Sequence, residues 1–223
     1  MKLSELIKGL TVKEIVGNTD CEIKDVTADS NAVVKGGLFI CISGATSDGH
    51  DFIRQVEEYG GAAAITERRL DTALTQVIVE DSRVAMSVIA ATFYGRADEK
   101  MKIIGVLGTN GKTTTTHLIT SVMAAAGVKC GLIGTLGVFY GDKFTEPTLT
   151  TPDPLELHKT LADMYKSGVE TVIMEVSAHA VFLKKVFGIK FQAGVFTNFT
   201  QDHLDFFKDM ETYKNAKKSF FGG

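Results

Sequence analysis

The stretch Lys102-Ile103-Ile104-Gly105-Val106-Leu107-Gly108-Thr109-Asn110-Gly111-Lys112-Thr113-Thr114-Thr115-Thr116 restricts the fold more than any other part of the chain. An apolar, β-branched run breaks into a glycine-containing turn and resumes as a segment that reads as a helix from Lys112 to about Ala126. Strand, tight loop and helix start, in that order, form an anion site. Glycines let successive backbone N–H groups converge on phosphate oxygens, and the helix start adds partial positive charge. Lys112 is then placed to reach terminal phosphates and Thr113 to offer a hydroxyl to Mg²⁺, with Gly108, Thr109, Asn110, Gly111 and Thr114 completing the loop. The general pattern G-x-x-x-x-G-K-[ST] asks for glycine at position 106 and meets Val106, so what stands here is the shorter G-T-N-G-K-T. An ordinary glycine turn before a helix is the bland alternative. Lys-Thr between a predicted strand and a predicted helix favours nucleotide binding.

A chain of 223 residues, 44% of them hydrophobic, can bury one large core or two small ones, and the element pattern favours two. The formal net charge of −3 gives no reason to expect a nucleic acid or an anionic membrane as partner, so a polyanionic ligand must be held by a local site. Glu5 falls where a signal peptide needs its apolar run, and no stretch approaches the ~18 apolar residues of a membrane helix, which makes a cytoplasmic protein the expectation. Cys21, Cys41 and Cys130 show no C-x-x-C spacing and read as free thiols.

Leu3, Leu6, Ile7 and Leu10 put one apolar stripe on a short opening helix. Glu22 to Thr27, Leu38 to Ile42, Ala62 to Thr66 and Gln76 to Glu80 read as strands. A helix around Phe52, Val56 and Tyr59 stops at Gly60-Gly61, and another runs from Arg83 to Tyr94 with Ser82 as N-cap. Ala97-Asp98-Glu99-Lys100 is polar and without periodicity, which places a boundary between an α/β domain at 1–97 and a second at 98–223. The second reads as a mostly parallel α/β domain of phosphate-loop type. Its elements are a strand at Lys129 to Thr135, a hairpin or excursion over 136–149, a helix opened by Asp153 (N-cap), Pro154 (N1) and Glu156 (N3), a strand at Thr171 to Val176, a strand near Ala193 to Thr197, and a last helix from about Met210 to Phe221. Leu155, His158, Leu161, Ala162 and Tyr165 are expected to face one way along the helix after Asp153.

Ligands gather beyond the C-terminal ends of strands in an open parallel sheet. Three strand ends of the second domain carry polar groups there: the phosphate loop, Glu175 within Met174 to His179, and Asp202, His203 and Asp205 after the last strand. An acid such as Glu175 suits Mg²⁺ bound to ATP phosphates, since Mg²⁺ takes hard oxygen ligands. For His203 the odds between ligand and satisfied structural residue are even, and Lys217 on an apolar helix face reads as a snorkelling side chain. Asp29-Ser30 and Asp48-Gly49-His50 signal turns.

Taken together, these segments resemble the Mur ligase family, ATP-dependent enzymes that add amino acids to UDP-N-acetylmuramic acid in peptidoglycan synthesis. The residues that carry the likeness are Asp29-Ser30 followed by Gly37-Leu38-Phe39, Asp48-Gly49-His50-Asp51-Phe52-Ile53, Gly108 to Thr113, Thr150-Thr151-Pro152, Met174 to His179, and Asp202-His203-Leu204-Asp205 with Tyr213 and Ala216-Lys217 after it. Within the family the likeness leans to the enzymes that add the third residue, a diamino acid, to UDP-N-acetylmuramoyl-L-alanyl-D-glutamate through an acyl phosphate.

The resemblance implies that the first domain holds the uridine end of the substrate, with Ser30 among its contacts, and that Thr150, Thr151 and Ser177 touch the muramoyl-peptide. It implies that Thr113, Glu175 and His203 serve Mg²⁺, that Lys112 binds ATP phosphates, and that Lys217 carries a carbamate near a second Mg²⁺, which replaces the snorkelling reading. Ala178 stands where the family usually has a second serine, Lys185 where an arginine contacts substrate, and Phe207 where a histidine is common. Lysine lacks the bidentate fork of arginine. Family members carry a third, C-terminal domain, and the chain ends at Phe221-Gly222-Gly223 before the central domain would finish, so the expectation is a fragment with little or no ligation of its own. The rival readings are a non-catalytic nucleotide-sugar and ATP binding module and a folylpolyglutamate-synthetase-like ligase.

Overall fold

The computed structural model describes residues 1–222, and Gly223 lies outside the described residues. The chain divides into two compact α/β units, Met1–Phe93 and Tyr94–Gly223. Segment 97–100, read from the sequence as the boundary, belongs to the second unit: Ala97–Glu99 form a turn of 3₁₀ helix in which Ala97 and Asp98 are buried. Its polarity misled because Asp98 is a buried acid.

In the first unit, helix α1 (Leu3–Leu6) is a single turn, shorter than the apolar spacing promised; Gly9 weakens any continuation, and Leu10 lies beyond it. Strands β1 (Val12–Val16), β2 (Val26–Thr27), β3 (Leu38–Ile40), β4 (Ala63–Thr66) and β5 (Thr75–Val79) form one sheet in the order β1-β5-β4-β3-β2, with β1 antiparallel to β5 and the other pairs parallel. The sequence reading missed β1, an edge strand whose middle residues are all exposed and which therefore shows no alternation. Helix α2 (Ile53–Glu58) and helix α3 (Ser82–Phe93) complete the unit. Asp81, not Ser82, caps α3: its carboxylate accepts the Arg83 and Val84 N–H groups at 2.8 and 3.1 Å, while Ser82 is fully buried.

In the second unit, β6 (Lys102–Leu107) leads into helix α4 (Lys112–Ala125) and then β7 (Cys130–Gly134). The hairpin β8 (Gly137–Tyr140) and β9 (Lys143–Thr145) follows, then helix α5 (Pro154–Lys166), β10 (Thr171–Val176), the short helix α6 (Ala178–Phe182) and β11 (Ala193–Phe196). Helix α7 (Leu204–Phe207) and helix α8 (Met210–Ser219) close the described chain. The sheet order is β11-β6-β10-β7-β8-β9, parallel from β11 to β7 and antiparallel in the hairpin. All six residues of β10 are buried, as befits a central parallel strand, with Glu175 the one charged residue among them. On α5 the buried face holds Leu157, His158, Leu161, Ala162 and Met164, whereas Tyr165 is exposed and Leu155 half-buried, contrary to the face read from the sequence.

His158 and Asp98 are each almost wholly buried, with Nδ1 and Oδ1 3.7 Å apart and with His158 Nε2 lacking a partner. Burial, and then the Arg96 guanidinium, push the imidazole down to about 4. His158 is thus neutral at pH 7 and the approach is not an ion pair. The unfolded chain binds a proton at this site near pH 6.5 and the folded one does not, so stability falls with pH from about 6.5 towards 4, by about 2 kcal/mol at pH 5. Burial raises the Asp98 carboxyl, which acts in the opposite sense by favouring the folded state as pH falls towards the ordinary carboxylate range. Urea unfolding at pH 7 and pH 5 of wild type and His158→Leu is the measurement. A variant that loses as much stability between those pH values as wild type removes His158 as the cause.

Candidate functional site

The register of the parallel strands builds the site. Leu107 of β6 pairs with Val176 of β10 and with Phe196 of β11, so three loops leave the same sheet edge side by side. The chain runs from β6 to β7 and β10 on one side and returns to β11 on the other, which makes β6 the switch point where an open parallel sheet binds ligands.

A cavity of about 550 Å³ lies at that edge. Its walls include Thr109, Asn110, Gly111, Lys112 and Thr113 of the phosphate loop, Glu175 near the end of β10 and Ser177 just after it, Thr150 and Thr151, and Lys185 and His203. Lys112 is folded back over its own loop, its ammonium donating to the carbonyls of Gly108 and Thr109 at 3.0 and 2.9 Å. Burial lowers its pKa, and Glu175 and Asp202 oppose that by favouring the charged form.

Glu175 is 1% exposed, and its carboxylate accepts the Thr135 N–H at 2.9 Å and the Thr135 hydroxyl at 3.1 Å. The close passage of β7 requires Gly134, where a Cβ would sit 2.4 Å from Glu175 Oε1. The Thr151 hydroxyl donates to the Glu175 carbonyl and accepts the Ser177 N–H, both at 3.0 Å, and Ser177 Oγ caps α6 by accepting the Ala180 N–H at 3.1 Å. Thr150 and Thr135 hydroxyls meet at 3.1 Å. Lys185 is paired with Asp153 at 2.8 Å; Asp153, expected to cap α5 with its side chain, makes no cap bond and serves this pair instead.

His203 is half exposed, in a left-handed backbone conformation at φ 53°, with its ring 4.8 Å from that of His179. Lys217 does not line the cavity. It is 3% exposed behind the loop, its Nζ donating to Thr109 Oγ1 at 2.8 Å and lying 4.2 Å from the Tyr213 ring centroid. Burial first, then the neighbouring Lys112, bring its pKa down to about 8. Ala178 and Phe207, two of the departures noted in the sequence, share one apolar cluster with Tyr213 and Ala216, so the small residue and the large one fill the same space.

Two residues of the loop also have structural partners. Gly108 is glycine because the β11 loop closes on it, a Cβ there falling 1.8 Å from Thr197 Oγ1, and Asn110 spends its N–H on Asn198 Oδ1. Thr113, Glu175 and His203, expected to serve Mg²⁺, border the same cavity, while Lys217, expected near a second Mg²⁺, is not among its walls; the described residues hold no group of three His, Cys, Asp or Glu side chains able to hold a metal. Thr113 and Glu175 still fit Mg²⁺, which binds through one or two protein oxygens and completes its shell with water and substrate phosphates. The nitrogen of His203 is a softer donor than that ion prefers. Sequence reasoning passed over Thr135, Thr197 and Asn198; only their position one or two residues past a strand end marked them.

In the first unit Ser30 is buried in the 3₁₀ turn Ser30–Ala32, capped by Asp29, whose carboxylate accepts the Asn31 N–H at 2.9 Å. It lines a cavity of about 280 Å³ with Phe39, Phe52 and Gln55 among its walls. His50 is buried between Asp48 Oδ1, 2.5 Å from Nδ1, and the Glu67 N–H, which donates to Nε2 at 3.0 Å, and so holds the turn together.

A parallel α/β sheet with a Gly-Lys-Thr loop at its switch point defines a phosphate-loop nucleotide-binding architecture. The pattern of the Mur ligase middle domain matches residues 106–223 and that of the Mur ligase family catalytic domain matches 22–103: the chain belongs to the Mur ligase family. It is similar to UDP-N-acetylmuramoyl-L-alanyl-D-glutamate–2,6-diaminopimelate ligase 1 of Clostridium acetobutylicum, 45% identical over 224 residues that cover 99% of this chain and 46% of that protein. The corresponding ligase of Bacillus cereus is 44% identical over 99% of this chain and 45% of its own length. The chain thus spans a little under half the length of these relatives.

Among solved structures, a UDP-N-acetylmuramoyl-L-alanyl-D-glutamate–2,6-diaminopimelate ligase superposes with a TM-score of 0.83 at 24% identity over 99% of this chain and 45% of its own, a likeness of fold. The MurF ligase of Thermotoga maritima in complex with ADP gives 0.57 at 25% identity, over 86% of this chain and 42% of its own. Among the described residues no helix is long and apolar enough to cross a membrane.

Proposed function

We propose that the chain carries the substrate and ATP sites of a cytoplasmic amide ligase that joins a diamino acid to UDP-N-acetylmuramoyl-L-alanyl-D-glutamate. The relatives' printed name points to 2,6-diaminopimelate as that amino acid. One observation carries the reading: the phosphate loop, a buried carboxylate at the end of the neighbouring strand, and Thr150, Thr151, Ser177 and Lys185 surround a single cavity.

In this reading the γ-phosphoryl group of ATP passes to the γ-carboxylate of the D-glutamyl residue, and ADP leaves. The amino group of the diamino acid then attacks the acyl carbon, and phosphate departs as the amide forms. Lys112 leaves the Gly108 and Thr109 carbonyls to meet the β- and γ-phosphates, and the free N–H groups at the start of α4 hold their oxygens. Thr113 and Glu175, with His203 beside them, would hold Mg²⁺, and the ion would supply positive charge against the phosphates. Thr150, Thr151, Ser177 and Lys185 align the muramoyl-peptide. Ser30 and the cavity around it take the uridine end. Lys217, with a pKa near 8, has the neutral amine available that a carbamate needs.

Because the chain spans less than half its relatives, binding without ligation is the expected behaviour of these 223 residues alone. Calorimetry with MgADP and with the UDP-muramoyl-dipeptide should show both bind, while folate should not. Phosphate release with ATP, dipeptide and diamino acid together should be near background for this chain and substantial for a protein of the relatives' full length. Failure of both MgADP and the dipeptide to bind contradicts the proposal.

A further inference from the structure

The loop that follows β11 holds the phosphate loop from one side: Thr200 meets the Thr109 hydroxyl through its N–H and its carbonyl, at 3.1 and 3.2 Å, and the Asn198 side chain meets both backbone groups of Asn110. Asn198 Nδ2 donates to the Asn110 carbonyl and Oδ1 accepts the Asn110 N–H, each at 3.0 Å, while the Asn198 main-chain carbonyl accepts the Thr109 N–H at 3.0 Å. Thr197 Oγ1 also donates to the Asn110 carbonyl, at 2.6 Å. The amide orientation is fixed by these partners, because the opposite one would set oxygen against a carbonyl and NH₂ against an N–H.

The consequence concerns which amides remain for an anion. The N–H groups of Thr109 and Asn110 point into the Asn198 loop, whereas those of Gly111, Lys112, Thr113 and Thr114 have no protein acceptor among the described residues. Gly111, at φ 81°, turns the chain between these two sets. No other side chain of this size offers a donor and an acceptor side by side to the N–H and C=O of one residue; aspartate lacks the donor and leucine lacks both.

We propose that Asn198 is the positioning residue of the phosphate loop, its side-chain amide fixing residues 109 and 110 so that the N–H groups of 111–114 form the anion cradle before nucleotide arrives. This deepens, and rests on, the reading of that loop as a nucleotide site. Preorganisation lowers the cost of ordering the loop on binding.

Two variants and one ligand-free measurement test it. Asn198→Ala should weaken MgADP and inorganic tripolyphosphate by about tenfold, the worth of two ordinary hydrogen bonds, at every pH. Asn198→Asp should be as weak or weaker at pH 7.5, where its carboxylate faces the Asn110 carbonyl. As pH falls to 5, its ratio to wild type should narrow, since a protonated carboxyl again presents a donor beside an acceptor. A residue that merely fills space would show no such recovery. In the ligand-free protein, hydrogen exchange at the Asn110 amide should speed up in Asn198→Ala with helix α4 unchanged. Wild-type affinity in both variants, or an Asn110 amide that exchanges no faster in Asn198→Ala, overturns the assignment. Wild type failing to bind either anion would sink the proposed function, and the exchange measurement would still decide the role of Asn198.

Discussion

Lys112→Ala is expected to cost at least about 10²–10³-fold in turnover wherever ligation is measurable, the usual result of deleting one preorganised group that stabilises transferring charge. The loss should exceed the loss in nucleotide affinity, because a charge aimed at the charge that develops during transfer stabilises the transition state more than the bound nucleotide. The folded state should be little affected. The ammonium is only half-buried and its present partners are two loop carbonyls that water can reach after truncation. Lys112→Arg should rescue poorly, since the guanidinium is a broader group than the compact ammonium that fits between the Gly108 and Thr109 carbonyls. Near-normal turnover in Lys112→Ala, measured as ATP-dependent phosphate release, would contradict the role given to this side chain.

Gly108→Ala should be the most damaging single-methyl change in the second unit. Its Cβ would lie 1.8 Å from Thr197 Oγ1 and 3.2 Å from the Asn198 backbone nitrogen, at a φ of 155° that side chains rarely adopt. Thr197 cannot swing aside freely, because its hydroxyl is bonded to the Asn110 carbonyl. The expected cost is about 2–3 kcal/mol of stability, in the range for forcing extra volume into a packed site, together with loss of MgADP binding. The double variant Gly108→Ala/Thr197→Ala should recover part of the stability but little of the binding, because the hydroxyl that held Asn110 is gone. Thermal unfolding and calorimetry of the three proteins are the measurements, and a Gly108→Ala protein as stable and as tight-binding as wild type would show that the two loops are not in contact in solution.

Legibility from sequence followed burial and periodicity. The strand from Lys102, the helix from Lys112 and the all-buried strand Thr171–Val176 were readable because glycine punctuation and a long apolar run leave few alternatives. The edge strand Val12–Val16 was not, since its three middle residues are all exposed and leave no alternation to read. The burial of Asp98 and the exposure of Tyr165 are not legible, because charge and aromaticity describe a residue without describing its neighbours. Lys217 is the sharpest case: its helical spacing alone says snorkelling, the family likeness says functional amine, and the structure buries it behind Thr109.

The sequence by itself determined that a lysine and a threonine open a helix after a buried strand, since that order depends only on neighbours along the chain. It also determined the family, through motifs spread over both units. Only the tertiary structure decided which N–H groups of the loop remain for an anion and why position 108 has no side chain. It also decided that Glu175 is held by Thr135 and that His203 and Glu175 border one cavity. The reason is physical: parallel strands bring together loops separated by about 65 to 90 residues through backbone register, and register is a property of the sheet that no local stretch encodes.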